Sequence, residues 1–247
     1  MSETHVAPQP GAPEQAHRLL PFGTFGTYLL LGALFCLLAT LGFGWLARGV
    51  LADQFVRFDD GLITLLHGYW SPALNQLMLL FTTLGDVAVL APLLVFVGAA
   101  LLRLRRWIDA FGLALAGGGA GLLNQLLKAI FQRVRPDLFD GPLHLTSYSF
   151  PSGHSMGSIA CYGMLAYIGM QLLHKRGSRL ALGLAAALLV LGVGTSRVYF
   201  GVHYPTDVIG GFLAGAIWLA LTIVLVQAAE WHARRRSSAL PAAAPDR

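Results

Sequence analysis

The chain has 247 residues, 55% of them apolar and 12% charged, with a formal net charge of +5. Soluble proteins carry about 25% charged residues, and the mean hydropathy here is +0.63, which excludes an ordinary soluble domain and indicates a polytopic membrane protein. The basic residues lie in short clusters beside apolar runs, the pattern of topology signals rather than of a nucleic-acid surface, and Cys36 and Cys161 fall inside apolar runs as small buried hydrophobes.

Residues 1–27 hold Pro8, Pro10, Pro13 and Pro21 and few apolar residues at first, so they read as a disordered cytoplasmic tail. They lack the early apolar core and small-residue cleavage site of a secretory signal. The first span is expected over Tyr28–Ala47, ended by Arg48. Asp53, Arg57, Asp59 and Asp60 rule out a span over residues 49–70 and suggest an interfacial helix, with Tyr69 and Trp70 suited to a membrane interface. Ser71-Pro72 has the form of a helix start. The apolar stretch Ala73–Leu84 is too short to cross alone and Gly85-Asp86 interrupts it, which puts the second span at Val87–Leu102.

After Arg103, Arg105 and Arg106 comes the third span, Trp107–Phe131, whose Gly117, Gly118, Gly119 and Gly121 permit close helix approach. Pro136 forbids its extension. The fourth span, His154–Leu173, is followed by the basic turn His174, Lys175, Arg176 and Arg179. The fifth covers Leu180–Val198, and a turn through Gly201 leads to the sixth, Pro205–Ala228. Arg234, Arg235 and Arg236 open a polar tail.

The expected architecture is therefore all-α: a six-span membrane bundle over residues 28–229, with a short interfacial helical segment before the second span and a basic Pro-Ala tail over 230–247. The arginines at 103–106, the basic turn at 174–179 and the triplet at 234–236 fall on one side, which the positive-inside rule makes cytoplasmic, with both termini. Three polar clusters then fall together on the opposite, external face of an inner membrane.

The first cluster is Lys128 with Arg135-Pro136. Lysine alone at a span end can snorkel to the interface, but lysine as a point charge and arginine as a bidentate fork together suit a phosphate. Arg133, nearby, reads as a loop residue. The second is Pro151-Ser152-Gly153-His154. Serine caps a helix whose free N–H groups attract anions, the glycine allows close approach to the backbone, and the histidine stands ready to move a proton. The third is Ser196-Arg197, His203 and Asp207. Asp207, four residues after His203, can share its face at a helix start and fix the ring tautomer, leaving the other nitrogen as a nucleophile. Two histidines and one aspartate matched by three cations are not the donor set of a metal site, and no cofactor is expected.

At this spacing and in this order, the eleven residues of these three blocks resemble the three-part signature of the type 2 phosphatidic acid phosphatase superfamily, over about residues 60–228. The resemblance implies a bacterial six-span lipid phosphatase without a metal requirement. His203 would form a phosphohistidine, Asp207 would orient it, and His154 would act as acid and then base. Lys128, Arg135, Arg197, Ser152 and Gly153 would hold the phosphoryl oxygens. The implied partners are the bilayer and a lipid phosphate: phosphatidate, phosphatidylglycerol phosphate or undecaprenyl diphosphate. The loop Asp137–Phe150 and the segment before Gly85 are expected to shape the headgroup pocket. A lipid phosphotransferase using the same phosphohistidine, or a non-catalytic lipid-phosphate binding or transport protein, are the competing readings. Binding alone does not need a His203–Asp207 pair beside His154. Haloperoxidases that share the signature are soluble and hold vanadate, unlike a chain with six apolar spans.

Overall fold

A computed structural model describes residues 22–138 and 147–239, and every regular element among them is a helix. In chain order these are α1 (Phe22–Leu51), α2 (Val56–Gly68), α3 (Pro72–Leu84), α4 (Val87–Arg103), α5 (Trp107–Phe131), α6 (Gly153–Leu172), α7 (Arg176–Tyr199) and α8 (Pro205–Ala239). The chain divides into two compact units, Met1–Phe35, which contributes the first part of α1, and Cys36–Arg247, which holds everything described below. The expected N-terminal tail falls largely on residues 1–21, outside the described residues, as do 139–146 of the loop after α5 and the end of the C-terminal tail.

Local chemistry sets the helix ends. Ser71 caps α3, its hydroxyl accepting the Leu74 N–H at 3.3 Å, and Pro72 opens the first turn. Asp86 caps α4 by accepting the Ala88 N–H at 2.8 Å. The α3–α4 pair bends by 49° at the Gly85-Asp86 break. α5 and α6 keep nearly the expected bounds, but α5 ends well before Pro136: Gln132 adopts φ 47° and closes the helix onto the Lys128 carbonyl. α8 runs through Ala239 instead of ending near Ala228. No glycine or proline interrupts that stretch, and Arg234 pairs with Glu230 one turn earlier at 3.3 Å.

Leu30–Leu51, α5, α7 and Pro205–Arg235 are each long and apolar enough to cross a membrane, and the bent α3–α4 pair passes the same test as one broken span. Large apolar side chains such as Val95, Phe96, Leu122 and Leu188 stand exposed on the helix exteriors, as expected where lipid is the solvent. α6 is 20 residues long but falls short in apolarity. Its place explains this: it packs against α5, α7 and α8, so few of its side chains need to meet lipid. Met156, Ala160, Met164 and Ile168 are buried against α5 and α8.

The glycine run of α5 works on two faces only. A side chain at Gly117 would strike Leu94 of α4, and one at Gly119 would strike the Trp218 ring of α8, whereas Gly118 and Gly121 face open space. Trp218 is held there by its indole N–H, which donates to the Leu115 carbonyl at 3.1 Å.

Candidate active site

The end of α5, the starts of α6 and α8, the end of α7 and the α3–α4 bend come together at one end of the bundle. The chain leaves α7 through Gly201, whose φ of 64° lies in the left-handed region that favours glycine. This turn folds Val202 and His203 back so that both backbone N–H groups donate to the Arg197 carbonyl, at 3.2 and 3.3 Å. α6 and α8 are strapped together at their N-termini. The Ser152 N–H donates to the Asp207 carbonyl at 2.9 Å, and a side chain at Gly211 would sit 2.6 Å from the Ser152 carbonyl oxygen.

His203 is almost fully buried. Its Nδ1 lies 3.3 Å from Asp207 Oδ2, and its Nε2 lies 3.1 Å from Arg135 Nη1. A guanidinium can only donate, so Nε2 must be the unprotonated acceptor and Nδ1 carries the hydrogen that faces Asp207. Burial pushes the His203 pKa down to about 4, against the opposing pull of Asp207. The ring is thus neutral at physiological pH, with its lone pair on the nitrogen turned away from the carboxylate.

Asp207 is itself held from several directions. Its Oδ2 accepts the Tyr204 N–H at 2.9 Å, and its Oδ1 accepts Arg133 Nη1 at 2.7 Å. Arg133 Nη1 also donates to Thr206 Oγ1 at 2.8 Å, Nη2 donates to Asp59 Oδ2 at 2.8 Å, and the guanidinium lies 4.0 Å over the Tyr204 ring. Asp59, on α2, is fully buried. It accepts the Thr206 N–H at 3.0 Å and the Thr206 hydroxyl at 2.6 Å.

The remaining cations converge on the same place. Arg135 donates through Nε to the Ser147 carbonyl at 2.7 Å and through Nη1 to the Val202 carbonyl at 2.6 Å. Lys128 reaches Ser147 Oγ at 3.4 Å. Arg197 is 3% exposed and donates through Nη1 to Thr82 Oγ1 of α3, while its buried Nε–H finds no acceptor among the described residues. An orphan guanidinium N–H beside two further cations is a donor left over for an anion. His154 Nε2 lies 3.6 Å from Asp86 Oδ2.

Ser152 Oγ accepts the Ser155 hydroxyl at 3.0 Å, which leaves its own O–H free to donate elsewhere. A side chain at Gly153 would approach Asn124 Oδ1 to 3.0 Å, and Asn124 Nδ2 donates to the Pro151 carbonyl at 3.1 Å. The amide of α5 thereby clasps the turn that presents His154.

The structure therefore gathers all eight residues singled out from the sequence: Lys128, Arg135, Ser152, Gly153, His154, Arg197, His203 and Asp207. It also adds Arg133, Asp59, Thr206, Asn124, Thr82 and Asp86, which sequence spacing did not reveal. In the sequence alone, Asp59 and Asp86 count only against a span. Among the described residues no cluster of His, Cys, Asp or Glu side chains is arranged to hold a metal ion.

The sequence model of the PAP2 superfamily matches residues 109–231, the stretch that carries all three blocks. Phosphatidylglycerophosphatase B of Bacillus subtilis is 42% identical over 151 residues, 59% of this chain and 72% of that protein. This chain belongs to the PAP2 superfamily. An undecaprenyl-diphosphatase of Sulfolobus acidocaldarius is 31% identical, over 71% of this PAP2 chain and 81% of that protein. The crystal structure of the transmembrane PAP2-type phosphatidylglycerolphosphate phosphatase from Bacillus subtilis superposes with a TM-score of 0.73. It has 34% identity and covers 78% of this chain and 96% of that one. The PAP2 fold, the apolar helices and these relatives together make the protein a multi-pass membrane protein of a lipid phosphatase family.

Proposed function

We propose that this PAP2 protein hydrolyses a phosphomonoester or diphosphate of a membrane lipid through a phosphohistidine on His203, without a metal ion. The observation that carries this reading is the pair of contacts on His203: Nδ1 faces Asp207 at 3.3 Å while Nε2 keeps its lone pair against Arg135 at 3.1 Å. Nε2 attacks phosphorus and the P–O bond to the leaving group breaks. His154 gives a proton to the departing oxygen. The neutral His154 then takes a proton from water, whose oxygen attacks phosphorus, breaks the P–N bond, releases phosphate and restores His203. Phosphoryl transfer needs positioning and stabilisation of charge on the equatorial oxygens. Lys128, Arg135, Arg197, the Ser152 hydroxyl and the Gly153 N–H supply those donors.

The same reading assigns six spans: α1, the broken α3–α4 pair, α5, α6, α7 and α8, with α2 at the interface. α6 counts because its two ends lie at opposite ends of the bundle. Gly153 stands at the site, while Gln171 accepts Arg106 Nη2 from the turn before α5 at 2.9 Å. The basic clusters at Arg103–Arg106 and Lys175–Arg179 lie at the end away from the site, so the positive-inside rule places the site externally. A lipid headgroup then meets the catalyst at the interface while its tail stays in the bilayer.

The test is phosphate release by purified, detergent-solubilised protein from phosphatidate, phosphatidylglycerol phosphate and undecaprenyl diphosphate, each with chelator. His203→Ala is expected to abolish release, and His154→Ala to lower it by about 10²–10⁴-fold. Activity lost with chelator, or retained in His203→Ala, overturns the mechanism. Release that requires an added alcohol acceptor identifies a transferase.

A further inference from the structure

We infer that Asp59 and Arg133 form a charge-neutral positioning pair that orients Asp207 without cancelling the negative charge His203 needs. The inference rests on the phosphohistidine reading above and names residues that are not among the eleven of the three signature blocks.

The geometry is a closed network. Arg133 reaches Asp207 Oδ1 with one nitrogen at 2.7 Å and Asp59 Oδ2 with the other at 2.8 Å. Thr206 joins both sides, its hydroxyl donating to Asp59 at 2.6 Å and accepting from Arg133 at 2.8 Å. Asp59 also accepts the Thr206 N–H at 3.0 Å, at the N-terminus of α8, where a carboxylate is favoured by the helix dipole. Both carboxylates are fully buried, and the Arg133 side chain keeps 14% exposure. Only a planar fork with two outward N–H edges bridges two carboxylates in this way; a lysine is a point charge.

The charge count gives the pair its purpose. When Nε2 of His203 bonds to phosphorus, the ring becomes cationic and Asp207 is the anion beside it. An arginine alone on Asp207 would fix its orientation but neutralise it. Asp59 cancels Arg133 instead, so two carboxylates and one guanidinium leave one net negative charge facing the ring. The orientation is fixed and the field is kept. Because the ring's positive charge develops only on the way to the intermediate, this support belongs to the transition state more than to substrate binding.

Asp59→Asn keeps an oxygen for Thr206, hence the docking of α2 on α8, and removes the charge. It is expected to lower kcat by about 10–100-fold, the scale of other partners that orient a reacting group indirectly. KM and competitive inhibition by inorganic phosphate, which report the Lys128, Arg135 and Arg197 cradle, are expected to change by less than about twofold. The decisive arm is the double variant Asp59→Asn/Arg133→Gln. It restores the net charge and is expected to recover part of the kcat lost in Asp59→Asn, a gain that a purely structural role does not produce. A double variant no faster than Asp59→Asn, or an Asp59→Asn enzyme with full kcat, overturns the inference. If Asp59→Asn does not yield folded protein, Arg133→Lys takes its place: it keeps the charge, loses the fork, and full kcat there also overturns the inference. His203→Ala run in parallel separates the two claims. An active His203→Ala sinks the phosphohistidine itself, whereas an inactive one beside a fully active Asp59→Asn sinks only the pair.

Discussion

His203 shows how burial sets the chemistry of one side chain. Its pKa is pushed from 6.5 down to about 4 by burial, with Asp207 pulling the other way. Above pH 6.5 the ring is neutral in folded and unfolded chains alike and its contribution to stability is complete. As pH falls from 6.5 toward 4, the unfolded chain takes up a proton that the folded chain refuses, so stability declines across that window and no further below it. The apparent thermal midpoint in detergent is expected to drop over this range, and His203→Asn to lack that component; an unchanged pH profile in the variant would show that another group is responsible. That the histidines, Asp207 and the cations of the three blocks come together was legible in the sequence, because they stand in three spaced blocks at the ends of apolar runs. Arg133 and Asp59 were not. They meet across 74 residues, and a loop arginine or a helix aspartate looks the same on paper whether it bridges two buried carboxylates or faces water.

At the scale of elements, composition located α5 and α6 almost to the residue, and the glycine run of α5 announced close packing without saying on which face. The structure resolves that: Gly117 meets α4 and Gly119 meets α8, while Gly118 and Gly121 have open space before them. Gly119→Val is therefore expected to cost about 1–3 kcal/mol through overpacking against Trp218, and Gly118→Val to cost far less. Thermal stability of the two variants in detergent is the comparison; equal losses would mean that helix propensity, not packing, governs the run. A charged triplet suggests a tail, whereas the helix of α8 continues through it to Ala239. Glu230 and Trp231 give Arg234 and Arg235 partners one turn away, which supports the helix past Ala228. The α3–α4 bend was visible as Gly85-Asp86, but not that α3 lends Thr82 to Arg197 or that the capping Asp86 faces His154.

The molecule as a whole is polarised from end to end. One end gathers Lys128, Arg135, His154, Arg197, His203 and Asp207; the other carries Arg103–Arg106, Lys175 and Arg176. Single cysteines placed at Tyr148 and at Lys175, in a background with Cys36 and Cys161 replaced, are expected to react oppositely with a membrane-impermeant maleimide in intact cells. Label at position 148 and none at 175 fits an external site; the reverse would move it to the cytoplasmic face. In the sequence this polarity appears as three polar blocks at one kind of apolar-run end and basic clusters at the other.

The low apolarity of α6 bears on how the chain is made. A segment beginning Gly-His-Ser and carrying Ser155 and Ser158 partitions poorly into lipid by itself, so the crossing proposed for it depends on partners that arrive before and after it. α5 is already in place when α6 leaves the ribosome, but α7 and α8, which cover its remaining sides, are still to be synthesised. On the proposed six-span reading, the helix that carries His154 settles late, and the proposed site is complete only once α8 has joined the bundle.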